Sequence, residues 1–326
     1  MWTYQLAGPG LLSRSEVPVP GEDELASGEM ILRILAGGIC GSDLPYFQGG
    51  FTSRSVLLGL GRTGGEDDVR GPLHEVVGEV VASQGDIEVG SRVVGWAGRR
   101  NNGFSEYMIG DDDWLHPVDL PLRAAHVVPI QPLACVLNAL SRLPRIEGKR
   151  AAVLGLGSIG VLFTHALKAA GASHVTGVDR VDRTDMTARF GLDEVVCDST
   201  RSWAASLSDG DRPDITIETV GHQIGTLNDA IEATAPQGSI FYFGIADDTV
   251  YPVAFERFMR KDLTLMAGAT TRGRRGALVM AHDYLSRHQG LMEDYVTHIL
   301  PFEQAQQAFD IAAKPSPNRL KVVMEG

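Results

Sequence analysis

Three cysteines in 326 residues, Cys40, Cys135 and Cys197, are too few and too uneven in number for a disulfide framework. No stretch approaches the roughly 20 consecutive apolar residues that a membrane-spanning helix needs. The opening residues, Met1–Leu6, carry neither a basic segment nor an apolar run of the secretory type. These absences predict a soluble protein in a reducing, cytoplasmic setting. Positive charge is short as well: 29 Lys and Arg stand against 41 Asp and Glu, a net charge of −12. That balance argues against nucleic acid or an anionic membrane as a partner. Any anionic ligand must then be held by a local cradle. Internal repeats and low-complexity segments are also lacking. What the chain has in quantity is apolar residues, 44%, and glycine, 38 in all. The first is enough for a sizeable core, and the length suggests about two domains.

Up to residue 122 the pattern is β-rich. Met30–Leu35, Val76–Val81, Ser91–Trp96, Phe104–Ile109 and Trp114–His116 are short apolar runs punctuated by Gly and Pro, which predicts a twisted, barrel-like sheet. Gly59–Gly71 interrupts them with a glycine-rich, charged segment, expected to be a mobile surface loop. Beyond Leu122 the texture changes. Apolar residues recur at helical spacing over Arg123–Leu143, broken by Pro129 and Pro132. Strands and helices then alternate: strand Arg150–Leu154, helix Gly160–Ala170, strand His174–Val178, helix Thr184–Phe190, strand Asp214–Glu218, helix Thr226–Thr234 and strand Ser239–Phe243. This rhythm implies an α/β fold, a doubly wound parallel sheet of the Rossmann type. A helix over Ala277–His288, a helix around Phe302–Ala305 and a strand over Leu320–Met324 close the chain, and this tail is expected to return to the first domain.

Gly155, Gly157 and Gly160 form Gly-x-Gly-x-x-Gly with Ser158 and Ile159 between the last two. The motif follows an apolar strand and opens a helix, the context that makes it a dinucleotide cradle. The first glycine permits the tight turn, the second lets a pyrophosphate approach the backbone, and the third lets helix and strand pack closely. The helix N-terminus adds free N–H groups and a positive dipole end. Asp179 ends the next strand, where a carboxylate can bind a ribose diol and repel a 2′-phosphate, which favours NAD; the neighbouring Arg180 leaves NADP open.

Two other stretches, Gly38-Ile-Cys-Gly-Ser-Asp43 and Leu73-His-Glu-Val-Val-Gly-Glu-Val-Val81, offer a thiolate (Cys40), an imidazole (His74) and a carboxylate (Glu75), a plausible zinc set with an open position. Together with Val89–Gly95, Gly103-Phe-Ser-Glu-Tyr107, Pro132-Leu-Ala134, the glycine motif and Leu320–Val323, they stand in an order that resembles the zinc-type members of the medium-chain dehydrogenase/reductase superfamily. The likeness spans nearly the whole chain and lies nearest in pattern to polyol, sugar and threonine dehydrogenases.

The resemblance implies a β-rich GroES-like catalytic domain over residues 1–122 and 269–326, and a Rossmann NAD(P)-binding domain over 123–268. It implies one catalytic zinc on Cys40, His74 and Glu75, the last either a steady ligand or one that approaches the metal transiently. Asp43 would orient His74, and Ser42 would pass the substrate's proton. Val220 and Gly244 would border the nucleotide, and Lys321 matches a basic position near the pyrophosphate. Tyr46, Phe47, Phe51 and Trp96 are candidates for the substrate pocket, or else core. A homodimer or homotetramer is expected, pairing near Leu263–Ala267.

Four departures stand out. A proton-relaying His of the family is Pro45 here, and His126 and His298 are the conceivable substitutes. The residue before His74 is Leu73 rather than the usual Gly. The family's Glu-Pro-Leu reads Gln131-Pro132-Leu133. Ala97–Asn102 carries no cysteine, so no structural zinc is expected. The function implied is hydride transfer between NAD and a secondary alcohol or ketone of a polyol, sugar, cyclitol or similar polar metabolite. Two alternatives stay open: a zinc-free NADPH-linked enoyl or quinone reductase, and a nucleotide-binding protein without catalysis.

Overall fold

A computed structural model describes residues 1–49, 73–97, 103–246, 248, 250–270, 272–288 and 290–326. The expected loop Gly59–Gly71 and the pocket candidate Phe51 lie outside them. In chain order the elements begin with β1 (Trp2–Gly8), β2 (Leu11–Glu16), β3 (Glu29–Gly38), α1 (Asp43–Phe47), β4 (Glu75–Ser83), β5 (Arg92–Trp96), β6 (Tyr107–Asp111), β7 (Leu115–Pro117), α2 (Ala124–Val127) and α3 (Ile130–Leu140). They continue with β8 (Arg150–Leu154), α4 (Ser158–Ala169), β9 (His174–Asp179), β10 (Glu194–Cys197), α5 (Thr200–Ser206), β11 (Ile215–Glu218), α6 (Gly225–Ala233), β12 (Ser239–Tyr242), α7 (Phe255–Arg260) and β13 (Thr264–Ala267). Last come α8 (Arg274–Arg287), α9 (Leu291–Tyr295), β14 (Val296–Pro301), α10 (Ala305–Ala312) and β15 (Lys321–Glu325). The chain divides into two units, Met1–Ala134 with Thr271–Gly326, and Cys135–Thr270. The first boundary therefore falls inside α3.

The first unit is built on a sheet of order β14-β15-β3-β4-β5-β7, with β6 also paired to β3. Only β14 and β15 run parallel; the other pairs are antiparallel. Three of the four valines of β4 (Val76, Val77, Val80) are fully buried, while Val81 faces outward. An aromatic chain fills the core: Tyr4 stacks on Phe104 at 4.7 Å between ring centroids, Phe104 on Phe309 at 5.6 Å, and Phe47 lies 5.0 Å from Phe309. These rings tie the hairpin β1–β2, α1 and α10 together. Because Phe47 anchors α1, the same packing fixes Asp43 at the other end of that helix. Phe47 is thus core and not a pocket wall.

The second unit is a parallel sheet of order β10-β9-β8-β11-β12-β13. Strand order reverses between β8 and β11, the switch point at which such sheets bind nucleotides. Val153 and Leu154 of β8 and Ile217 of β11 are fully buried, the apolar continuity expected of strands covered on both faces. The chain thus adopts the expected pair of architectures. One local expectation fails. Thr184–Phe190 is not a helix: a single 3-10 turn, Thr184–Met186, is followed by turns. Thr184 O accepts from both the Thr187 hydroxyl at 2.7 Å and the Thr187 amide at 3.3 Å, the i→i+3 bond that closes a 3-10 turn. The short strand β10 had no clear signal in the sequence, since two of its four residues are exposed.

Candidate metal centre and nucleotide cradle

The register of β3 against β4 creates the first site. Gly38 stands opposite Glu75, so the residues just past one strand meet those just before the other. Cys40, His74 and Glu75 each offer a ligand atom, and these atoms lie within 4.8 Å of one another. Asp43, 6% exposed, organises Cys40, just past β3, and His74, just before β4. One carboxylate oxygen accepts from Cys40 N at 2.8 Å, and the other lies 3.1 Å from His74 Nδ1. A carboxylate accepting from Nδ1–H leaves Nε2 as the ligand atom and raises its basicity. Enclosure by protein works against charge on His74, but Asp43 and Cys40 outweigh it and hold its pKa well above the ordinary imidazole value. Ser42 sits at the N-cap of α1 and makes no capping bond.

Two residues behave unlike their sequence readings. Lys321, expected near a pyrophosphate, is fully buried: its ammonium donates to both oxygens of Glu75 at 2.7 Å each and to Ile39 O at 3.1 Å. Three protons meet three acceptors, so none is left for a phosphate. Glu75 and Lys321 are 246 residues apart, and nothing in a linear reading pairs them. Leu73 has φ +96°, a conformation rare for a branched side chain. It is fully buried against Gly37, where a Cβ would overlap Leu73 Cδ2 and lie 3.1 Å from its Cγ. The family's glycine thus marked a real backbone demand, met here by a leucine at the cost of strain. Gln131 is buried in the first turn of α3. Of the proposed relay substitutes, His298 Nδ1 lies 3.0 Å from Thr297 Oγ1, and His126 is half-buried on α2.

The second site lies at the switch point. Gly155 turns at φ +91°. A Cβ at Gly160 would overlap Gly155 O and lie 3.1 Å from Thr219 Oγ1, so α4 packs on the strand ends only because that residue is glycine. A Cβ at Gly157 would meet nothing within 4 Å, which leaves open space before the helix N-terminus that starts at Ser158, with Ile159 in its first turn. That space is what a pyrophosphate needs. Asp179 accepts from Leu156 N at 2.7 Å and from Val181 N at 2.8 Å, one bond per oxygen. Its carboxylate is thereby oriented, with a lone pair left on each oxygen. Arg180 is exposed and reaches Gln223 Oε1 at 3.3 Å. Val220 and Gly244 follow β11 and β12. A Cβ at Gly155 would come within 3.0 Å of Val220 Cγ2, and one at Gly244 within 2.5 Å of Gly221 Cα.

Two family models match this chain: the alcohol dehydrogenase GroES-like domain over residues 26–120 and the zinc-binding dehydrogenase domain over residues 158–281. The chain belongs to the zinc-type medium-chain dehydrogenase/reductase family, and its chemistry is oxidoreduction of the alcohol dehydrogenase type. It is 25% identical to a sorbitol dehydrogenase of Bombyx mori, with 91% of each chain covered. It is 28% identical to an (R,R)-butanediol dehydrogenase of Bacillus subtilis, over 67% of this chain and 70% of that one. Among solved structures, an alcohol dehydrogenase from Thermus sp. ATN1 superposes with a TM-score of 0.82 at 21% identity, covering 100% of this chain and 99% of that one. No helix among the described residues is long and apolar enough to cross a membrane.

Proposed function

We propose that this protein is a zinc-dependent, NAD-linked dehydrogenase acting on a secondary alcohol, or the matching ketone, of a polyol, sugar, cyclitol or similar polar metabolite. The observation that carries this reading is the convergence of Cys40, His74 and Glu75 within 4.8 Å in a chain that also holds the glycine cradle. A soft thiolate, an imidazole oriented by Asp43 and a carboxylate are a donor set suited to zinc. Zinc held there would supply Lewis acidity to a substrate oxygen. The redox chemistry belongs to the nicotinamide. The protein's own tasks are then separate. Asp43 fixes the tautomer and angle of His74 and, through the Cys40 amide, the loop that presents the thiolate. Ser42 holds the proton exchanged with the substrate hydroxyl. Gly155, Gly157, Ser158, Ile159 and Gly160 receive the pyrophosphate. Asp179 takes the adenosine ribose, which favours NAD. Similarity to a sorbitol dehydrogenase and a butanediol dehydrogenase supports a small polar alcohol as substrate.

The protein is further proposed to form a homodimer or homotetramer through β13. That strand is the edge of its sheet, with Leu265 38% exposed, and α7 leaves Phe255 66% and Met259 61% exposed beside it in sequence. An open, apolar strand edge is a ready template for a second copy.

The test is metal content by mass spectrometry on the purified, tag-free protein, with a Cys40→Ser control and a screen of polyols with NAD. Stoichiometric zinc in the wild type, loss of it and of turnover in the variant, and NAD affinity unchanged in both are expected. A metal-free wild type that reduces activated alkenes with NADPH would refute the reading.

A further inference from the structure

We infer that Lys321 is a positioning residue of the metal site: by taking both oxygens of Glu75 it pins that carboxylate and cancels its charge. A bound cation would then meet the net charge of the Cys40 thiolate alone. The inference rests on the proposed reading of this cluster as a metal site, with Cys40 and His74 as direct ligands and Glu75 beside them. Its basis is a fully enclosed ion pair. Both side chains have no exposed surface, and each oxygen of Glu75 receives the ammonium at 2.7 Å. The third proton is held by Ile39 O, one residue before Cys40. Neither partner is free to withdraw. Lys321 opens β15, whose backbone is paired on one side to β14 at Val296 and on the other to β3, where Val323 faces Gly38. Glu75 is confined by Gly38, where a Cβ would stand 2.6 Å from Oε2.

The electrostatic consequence is specific. A carboxylate free of Lys321 would give the ligand set two negative charges, whereas the paired one gives it one. A site so neutralised holds a divalent cation less tightly and leaves it a stronger Lewis acid. The pair also explains how a glutamate can be fully buried next to a thiolate without repelling it, since a buried charge without a partner is costly.

The test is zinc affinity, measured by competition with a chromogenic chelator, in wild type, Glu75→Gln, Lys321→Met and the double variant. Glu75→Gln strands an ammonium near the metal set and should weaken zinc binding by about 100-fold or more. Adding Lys321→Met to it removes the stranded charge and should restore the dissociation constant to within about tenfold of wild type. Replacing both members of a buried pair is commonly tolerated by the fold. If Glu75→Gln alone does not fold, the double variant is compared directly with wild type on the same criterion. A double variant that binds zinc as weakly as Glu75→Gln, or more than about 100-fold below wild type, would overturn the inference, because Glu75 would then act as an independent ligand. Absence of zinc from the wild type would instead sink the metal reading itself.

Discussion

Substituting alanine at Gly157 and, separately, at Gly160 separates nucleotide binding from folding. At Gly157 the added methyl meets no protein atom within 4 Å, and φ −72° with ψ −170° suits alanine. Losing glycine as N-cap costs a few tenths to about 1 kcal/mol. Reduced freedom of the unfolded chain returns about 0.4–1 kcal/mol. The two nearly cancel, so the apo protein should melt within a few degrees of wild type, on the order of 2–4 °C per kcal/mol. The methyl does, however, fill the space before the helix N-terminus. The dissociation constant for NADH should rise at least tenfold, about 1.4 kcal/mol. At Gly160 the methyl overlaps Gly155 O and crowds Thr219 Oγ1, so α4 must back away from the sheet. Overpacking of this kind costs about 1–3 kcal/mol, and the melting temperature should fall accordingly. Thermal melts of apo protein and calorimetric titration with NADH read the two effects. NADH binding by Gly157→Ala at wild-type strength would refute the cradle.

Two further perturbations test other parts of the molecule. Burial holds His116 below the ordinary imidazole pKa, aided by His282 and Arg275 and opposed by Asp283 and Asp119. A depressed folded pKa means that stability is full above the unfolded value of about 6.5 and is lost as pH falls through it. Acidification from pH 7.5 to 5.5 should therefore lower the melting temperature less in His116→Asn than in wild type; equal slopes would discount the site. Leu265→Lys, on the exposed edge strand β13, should give the light-scattering mass of a single chain where wild type gives a multiple. A monomeric wild type at micromolar concentration would exclude that interface.

The parts legible in the sequence are those in which backbone geometry dictates residue type. The glycine triplet is one: Gly155 needs a positive φ, and Gly160 has no room for a Cβ. Cys40, His74, Glu75 and Asp43 were legible because each sits in a short motif, and the β3–β4 register gathers those motifs at one end of the sheet. Lys321 was misread because its partner lies on a strand distant in sequence, and a lone basic residue carries no sign of what it faces. Thr184–Phe190 misled because Met186 and Phe190 have helical spacing and are both buried, yet the segment closes only a short 3-10 turn. Strand β10 is too short and too exposed to be periodic.

The exchange between Leu73 and Gly37 constrains how this part of the chain can change. The leucine occupies the volume that a side chain at position 37 would claim, and it does so from a backbone angle that suits glycine. Returning position 73 to glycine would relax the backbone but open a void beside Gly37. Enlarging position 37 is blocked while the leucine stays. The two positions can therefore be rewritten in one order only, position 73 first, with a loosened intermediate next to a metal-ligand candidate. A variant library built on single substitutions would find position 37 immovable and position 73 open only at the cost of a void, while a library of pairs would reach combinations that neither site allows alone.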